Sequence, residues 1–236
     1  DNMVNYSSKF KVNLNDPFFE VYNKNYWNKE ENISVLNAAS QKLRDFINGE
    51  KTLEETFDLD KFAKFFAIID ATYTYHALSP GTLRLYYNPI NGFFEPIPFD
   101  GQREIPNYNK YNNSFNNDLL IDQKSWWVEK FFFDNKILNK KFYNKYVDNL
   151  IRISSEKYLN KFLSVRKDKI EKINSFIYSD YFFYTNGYDF GPGLYYFSEK
   201  DLYYRAKIIR KRTNSINKNI QILKEKNNDY LIKVFF

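Results

Sequence analysis

Apolar residues recur three and four positions apart through most of the chain, and this spacing predicts a mostly helical protein. A first helix is expected over residues 33–48, with Gly49 placed to end it in a left-handed conformation. A second helix is expected to begin near Asp58 or Asp60, because the helix dipole favours an acidic residue there. The buried stripe of this second helix is predicted to be Phe62, Phe65, Phe66 and Ile69. Further helices are predicted over residues 124–133, 138–152, 155–178 and 199–223.

A different pattern occupies residues 83–99, where short runs of Leu, Tyr, Phe and Ile flank a Pro-Ile-Asn-Gly turn signal. Such a turn between two apolar runs predicts a β-hairpin. Residues 102–118 are polar and rich in asparagine, so we expect a long surface loop, with a lid as one interpretation. Another loop is expected over residues 183–193, and residues 1–32 are interpreted as an irregular packed segment. The predicted fold class is therefore α+β, mostly helical with one short hairpin.

The composition narrows the chemistry that the chain can support. With 236 residues, of which 43% are hydrophobic, the chain can bury a core of its own. It has no cysteine, which excludes disulfides, thiolate zinc sites and cysteine nucleophiles. His76 is its only histidine, so a metal site with several histidines is excluded as well. Metal chemistry would have to use carboxylates and would suit hard cations such as magnesium or calcium.

The charge and the apolar runs indicate which partners to expect. The formal net charge of +6 is modest for this length. The basic run 207–218 lies on a predicted helix, where it is interpreted as a solvated face, with binding of phosphate, nucleic acid or an acidic partner as the alternative. Because no aromatic residue interrupts that run, a nucleic-acid partner is not expected. The apolar stretches are far shorter than the roughly 20 residues of a membrane-spanning helix, so no span is predicted.

The two ends of the sequence suggest a piece of a longer protein. The chain starts at Asp1 without a charged and apolar leader, and its last residues, DYLIKVFF, resemble a strand with nothing to pair with. We therefore expect residues 1–236 to form a single helical lobe, whose last ten or so residues begin a further β segment.

Two carboxylates are the main candidates for chemistry. Asp70 lies at the predicted end of a helix, and Asp100 follows the second strand of the predicted hairpin. Phosphoryl transfer with a metal ion needs one carboxylate to accept a hydroxyl proton and another to hold magnesium. A carboxylate at a helix C-terminus is disfavoured by the dipole, which indicates that something else requires Asp70 there. The alternative for Asp100 is a turn residue that caps backbone amides before Gly101.

Residues 57–101 carry a family resemblance. They hold a helix ending in Asp70, a loop with His76, and the hairpin pattern YYNP-x-x-G-x-x-EPI-x-FDG. This run resembles the central part of the CotH-type spore-coat protein kinase family, and it covers about a fifth of the chain. The helix before it and the helical region after residue 118 agree with the family in their order.

The resemblance implies the C-terminal lobe of an atypical protein-kinase-like fold that uses ATP and magnesium. In such a protein Asp70 would be the catalytic base, and Asp100 would bind magnesium as the DFG aspartate does in ordinary kinases. His76 is a second catalytic candidate that would orient Asp70 or contact the substrate, and an ordinary loop histidine is its alternative. The family further implies secretion or a cell-surface location, with protein hydroxyl groups as substrates.

Two departures from the family leave another hypothesis open. Relatives usually place an asparagine, which can help to ligate metal, where this chain has Thr82. The nucleotide-binding lobe, with its lysine, also has no counterpart upstream of Asp70. The alternative function is a catalytically inactive CotH-like module that works through a surface or assembly partner.

Overall fold

The computed structural model describes Asn23, Tyr26 and residues 29–79, 82–101, 119–121, 129–133, 139–184 and 199–226. Its α-helices are α1 Glu30–Ile47, α2 Leu53–Thr56, α3 Leu59–Thr72, α4 Lys140–Ser154, α5 Glu156–Tyr184 and α6 Glu199–Lys226. The shorter elements are a 3₁₀ turn Tyr75–Leu78, a π-helical turn Glu129–Phe133, and the strands β1 Arg84–Asn88 and β2 Phe93–Ile97. The described part of the chain is thus mostly helical with one antiparallel hairpin, which confirms the predicted α+β class.

The chain divides into two compact units, and each unit is built from three separate segments of the sequence. The first unit contains residues 1–65, 75–101 and 124–145, and the second contains residues 66–74, 102–123 and 146–236. Helices α3 and α4 each contribute residues to both units.

The helices of the first unit begin and end where local sequence signals require. Helix α1 ends at Ile47 with Asn48 as its C-cap, and Gly49 follows with φ +80°, as its lack of a Cβ allows. The backbone N–H of Glu50 then donates to the carbonyl of Asp45 at 2.7 Å, which completes a Schellman motif. Helix α2 begins with a capping box in which Thr52 and Glu55 exchange hydrogen bonds. The predicted glycine end of the first helix is confirmed.

The hairpin of the first unit has the register that its turn dictates. Tyr86 lies opposite Glu95, and Gly92 closes the turn with φ +73°. The ammonium of Lys42, from α1, donates to the Gly92 carbonyl at 2.5 Å and lies over the Phe93 ring. The predicted hairpin is confirmed, and the contacts of Lys42 hold its turn against α1.

An aromatic cluster forms the core of the first unit. Phe57 lies at its centre, with ring centroids at 4.9 Å from Phe46 and 5.4 Å from Phe132. The Asp58 N–H donates to the Phe94 carbonyl at 2.9 Å, so the segment before α3 runs along β2. The rings that pack in this cluster are Phe46, Phe57, Phe62, Phe94, Phe131, Phe132, Phe133 and Phe142.

The second unit packs the end of α3 against α4 residues from Tyr146 onward and against α6. Its interior contains apolar residues together with two charged side chains, Asp70 and Arg205. The buried apolar residues of this unit include Phe66, Ile69, Leu119, Leu120, Tyr146, Leu150, Leu159, Leu163 and Ile209. Ser155 starts α5 by accepting a hydrogen bond from the Tyr158 N–H at 3.3 Å.

The remaining predicted elements have mixed outcomes. The helices expected over 138–152 and 155–178 are confirmed as α4 and α5, and the one expected over 199–223 as α6. Helix α5 continues to Tyr184, so the first two residues of the loop expected over 183–193 are helical. The predicted buried stripe of α3 is confirmed, since all four of its residues are buried.

Several predictions fall on residues that are not described. Of the helix expected over 124–133, only the π-helical turn is described. The segment 102–118, most of residues 1–32, most of the loop 183–193 and the last ten residues lie outside the described part. None of the described helices combines the length and the apolar character that crossing a membrane would require.

Candidate functional site

Asp100 lies three residues beyond β2, at the exit of the hairpin. Its backbone has φ +46°, a left-handed conformation that L-residues rarely adopt and that aspartate tolerates better than most. A residue held in such a conformation costs of order 1 kcal/mol and is found most often at functional sites. The hairpin exit therefore carries an aspartate in a place where glycine would be less strained.

The carboxylate of Asp100 pairs with the only histidine of the chain. His76 Nε2 lies 3.3 Å from Asp100 Oδ2, and the two side chains remain 26% and 33% exposed. The 3₁₀ turn carries His76, and the hairpin returns Asp100 to it across 24 residues. The structure thus brings together two of the three predicted site residues, and both are within reach of solvent.

Thr82 shapes the loop that carries His76. Its hydroxyl donates to the His76 carbonyl and lies 2.8 Å from the Ser79 hydroxyl. Its backbone N–H donates to the Ser79 carbonyl at 3.0 Å. The Thr82 side chain is buried, and its hydrogen bonds within the loop hold the backbone of His76 in place.

The surroundings of Asp100 bear on whether a metal ion could bind at the hairpin exit. Within the described part of the chain, no three histidine or carboxylate side chains come together as a metal cage would require. Magnesium, however, usually keeps several waters and is held by one or two carboxylates plus the phosphates of a nucleotide. Asp100 is one partly exposed carboxylate of the kind such a site uses, and its predicted role as a magnesium ligand stays a prediction.

Asp70 is in a different environment, in the interior of the second unit. The residue is 0% exposed, although it lies in the last turn of α3 as predicted. The Leu120 N–H donates to Asp70 Oδ1 at 2.9 Å, and the Tyr146 hydroxyl donates to Oδ2. Both carboxylate oxygens therefore accept hydrogen bonds inside the core, as a buried carboxylate requires.

Arg205 supplies the charge that opposes Asp70. Its guanidinium Nη2 lies 3.6 Å from Asp70 Oδ1, and its Nε donates to the Asp70 backbone carbonyl at 2.6 Å. Both side chains are almost wholly buried. One arginine thus neutralises the carboxylate and also satisfies a carbonyl at the C-terminus of α3, where carbonyls lack helical partners.

Tyr73 completes this cluster in a strained backbone conformation. It follows α3 with φ +57°, and the Thr74 N–H donates to the Ile69 carbonyl at 3.3 Å, as in a Schellman motif. A tyrosine at this position is a marked outlier, because glycine normally occupies it. The Arg205 guanidinium lies 4.1 Å from the centroid of the Tyr73 ring and donates to its hydroxyl. The arginine contacts help to hold this ring in place.

The three sequence-predicted site residues therefore lie in two units. His76 and Asp100 form a pair in the first unit, and Asp70 is enclosed by residues of the second. A general base must reach the proton that it removes, and the burial of Asp70 lends no support to that role. The roles predicted for Asp70 as catalytic base and for Asp100 as magnesium ligand stay predictions.

Sequence reasoning missed Arg205 and Tyr146. Arg205 lies 135 residues from Asp70, on a helix whose basic residues look like a solvated face. Tyr146 lies on α4, where the helical spacing alone marks it only as an apolar position. The available sequence signal was Asp70 itself, because a carboxylate at a helix C-terminus is unfavourable unless a cation or other donors lie nearby.

Comparisons of the chain with known protein families, with curated protein sequences and with solved structures find no match.

Proposed function

We propose that this chain is the helical part of a CotH-like kinase-type domain that transfers a phosphoryl group from ATP to protein hydroxyl groups. The single observation that carries this proposal is the pair formed by His76 and Asp100 at the hairpin exit. The kinase hypothesis comes from the sequence pattern of the hairpin. The pair supports it because the Asp100 carboxylate is partly exposed and its backbone is in a strained conformation. The proposed location, by the same resemblance, is the cell surface or the extracytoplasmic space.

In this proposal Asp100 holds the magnesium ion that accompanies the nucleotide. When bound, magnesium would neutralise the charge that develops on the transferred phosphate oxygens. His76 orients the Asp100 carboxylate by its contact at Oδ2, and Thr82 holds the His76 loop in place. A histidine that fixes a ligating carboxylate in this way is a positioning residue.

The proposal assigns Asp70 a structural role in place of the catalytic base. A carboxylate that already accepts hydrogen bonds from Leu120 and Tyr146, and that faces Arg205, has no free access to a substrate hydroxyl. We propose that Asp70 fixes the C-terminus of α3, from which the chain continues into the His76 loop. In this proposal a residue other than Asp70 acts as the base for phosphoryl transfer.

A second function is favoured by the same burial of Asp70. If the aspartate that corresponds to the catalytic base of the family is a core residue, the chain could be a catalytically inactive module for surface or assembly contacts. Such a module would use the fold for binding, and the His76–Asp100 pair would only fix the hairpin exit. The two functions differ in whether phosphate is transferred.

The test is a phosphate-transfer measurement on the full natural chain with labelled ATP, magnesium and dephosphorylated casein as acceptor. Incorporation of label into casein or into the chain itself is expected. Replacing Asp100 with asparagine should lower the rate by about a hundredfold or more, the loss typical of removing one electrostatic stabiliser. Magnesium-dependent binding of ATP, followed by calorimetry, should weaken in the same variant.

The matched control is Asp148→Asn, since Asp148 is an exposed aspartate on α4 and its replacement changes the charge equally. This control should transfer phosphate at the wild-type rate. Binding of ATP without any transfer would support the inactive module. Equal activity of the Asp100 and Asp148 variants would contradict the role proposed for Asp100.

A further inference from the structure

Helix α5 carries an exposed apolar stripe that neither proposed function uses. Tyr158, Phe162, Val165, Lys169 and Ile173 follow one another at intervals of three or four residues, and we call them the α5 seam. Residues at this spacing lie on one side of a helix. Val165 is 71% exposed, Ile173 45% and Tyr158 38%, which are high values for apolar side chains in a regular arrangement.

The seam lies away from the side of α5 that packs into the second unit. Leu159 and Leu163 are buried, and the Tyr203 hydroxyl of α6 donates to Asn160 Oδ1 at 2.5 Å. The exposed seam is therefore a second apolar surface on the same helix. From Tyr158 to Ile173 it runs about 22 Å at the rise of an α-helix, which is long enough for a helix of four turns to lie along it.

The spacing indicates what kind of partner fits. The first four seam residues follow one another at intervals of four, three and four, which are those of a coiled-coil seam that packs a narrow apolar stripe into a second helix. Ile173 follows Lys169 after four more residues and lies at the edge of that stripe. Lys169 is the fourth of the five seam residues, and a single polar residue inside an apolar seam sets the register of the partner. A narrow stripe with one internal charge suits a helix better than it suits a membrane surface, which favours a wide apolar face.

The charges beside the seam decide between a second copy and a different protein. Lys161, Arg166 and Lys172 flank the seam in addition to Lys169 within it, whereas Asp168 lies at its edge. Two copies of this helix would bring like charges together, which disfavours pairing. A partner helix with acidic residues beside an apolar stripe would instead be electrostatically complementary.

We propose that the α5 seam is the docking site for an acidic amphipathic helix of another protein. The apolar residues of that helix would pack between Phe162, Val165 and Ile173, and its carboxylates would face the lysines. One acidic residue would lie opposite Lys169. This surface is independent of the His76–Asp100 pair and would exist in either of the proposed functions.

The proposal can be tested with a designed peptide of about 21 residues that carries leucine at heptad a and d positions and glutamate beside them. Binding to the full chain is measured by fluorescence anisotropy. The peptide should bind, and the affinity should fall with added salt, because exposed charges are screened. The double variant Val165→Glu, Ile173→Glu should weaken binding about tenfold or more.

The matched control is Ser164→Glu with Ser175→Glu, which adds the same two charges to exposed positions of α5 outside the seam. It should weaken binding far less than the seam variant does. Both variants should unfold at temperatures close to that of the wild-type chain, because all four positions are exposed. An equal loss in the two variants would overturn the docking site.

Three further outcomes would also overturn the proposal. One is equal binding of a peptide in which lysine replaces every glutamate. Another is that the chain binds vesicles of phosphatidylserine and phosphatidylcholine more tightly than it binds the peptide, and that the seam variant loses this vesicle binding. The third is a dimer in sedimentation at 0.1 mM protein that the seam variant dissociates, since the seam would then pair with itself. Rescue of Lys169→Glu by a peptide with lysine at the opposing position would support it.

Discussion

Arg205 and Asp70 contact each other twice in the interior of the second unit. The guanidinium Nε donates to the Asp70 backbone carbonyl at 2.6 Å, and Nη2 lies 3.6 Å from the carboxylate. Replacing Arg205 with methionine leaves the carboxylate buried without its cation, which typically costs about 3–5 kcal/mol. We expect the free energy of unfolding, measured with urea, to fall by that amount.

Lys207→Met is the control for this prediction, because it removes one positive charge from an exposed position of the same helix. It should change the free energy of unfolding by less than about 0.5 kcal/mol. The double variant Asp70→Asn, Arg205→Met should recover part of the loss, because no buried charge then remains unopposed. A single Arg205 variant as stable as the Lys207 control would contradict the role of the pair.

The hydroxyl of Tyr146 is the second donor that stabilises Asp70. It donates to Asp70 Oδ2, and Tyr146 is fully buried. The change Tyr146→Phe keeps the ring and removes this donor, so the free energy of unfolding should fall by about 1–3 kcal/mol. Tyr204→Phe, at a position of α6 that is 49% exposed, is the matched control and should be nearly neutral in the same urea titration. Equal stability of the two variants would mean that the Tyr146 hydroxyl contributes nothing.

The two helix ends in this protein show what the sequence could and could not predict. Gly49 ends α1 in a left-handed conformation, and this was predictable because glycine adopts that conformation without strain. Tyr73 has the same kind of backbone after α3, and nothing local predicts it. The contacts that it makes come from Arg205, more than 130 residues away, so this helix end depends on tertiary packing.

The candidate site shows the same division. The hairpin and the position of Asp100 after it followed from local turn chemistry, and the first strand pairs with the second as predicted. The surroundings of Asp70 did not follow, because burial is decided by which distant elements pack together. The short helix α2 was missed although its capping box, Thr52 and Glu55, is readable in the sequence.

Glu95 should make the stability of the first unit depend on pH in the acid range. Hydrogen bonds from Lys61 and Asn88 lower the pKa of Glu95 from its ordinary value of 4.5. Because the pKa of Glu95 is lower in the folded state, its stabilisation is fully present above pH 4.5. It is lost as the pH falls through the folded-state pKa. The contribution is small, because the Lys61 partner is largely exposed and solvent screens the pair.

The measurement is the free energy of unfolding of the wild-type chain and of Glu95→Gln between pH 7 and pH 3. The wild-type advantage should be constant from pH 7 to about pH 5 and should decrease as the pH falls below 4.5 and through the folded-state pKa. The same pair raises the pKa of Lys61, so an alkaline loss is expected only above pH 10.5. An advantage that grows on acidification would contradict the assignment.

Two substitutions of Asp100 can separate the energetic cost of its backbone conformation from the contact that its side chain makes with His76. At φ +46° a residue with a Cβ is strained, whereas glycine is not. Both Asp100→Ala and Asp100→Gly remove the contact with His76, so their difference in stability reports the strain of a Cβ in the folded backbone, less the larger unfolded-state entropy of glycine. We expect the glycine variant to be more stable than the alanine variant by about 1 kcal/mol in urea unfolding. An alanine variant more stable than the glycine variant would contradict the left-handed conformation of Asp100, because alanine is favoured wherever the backbone is not strained.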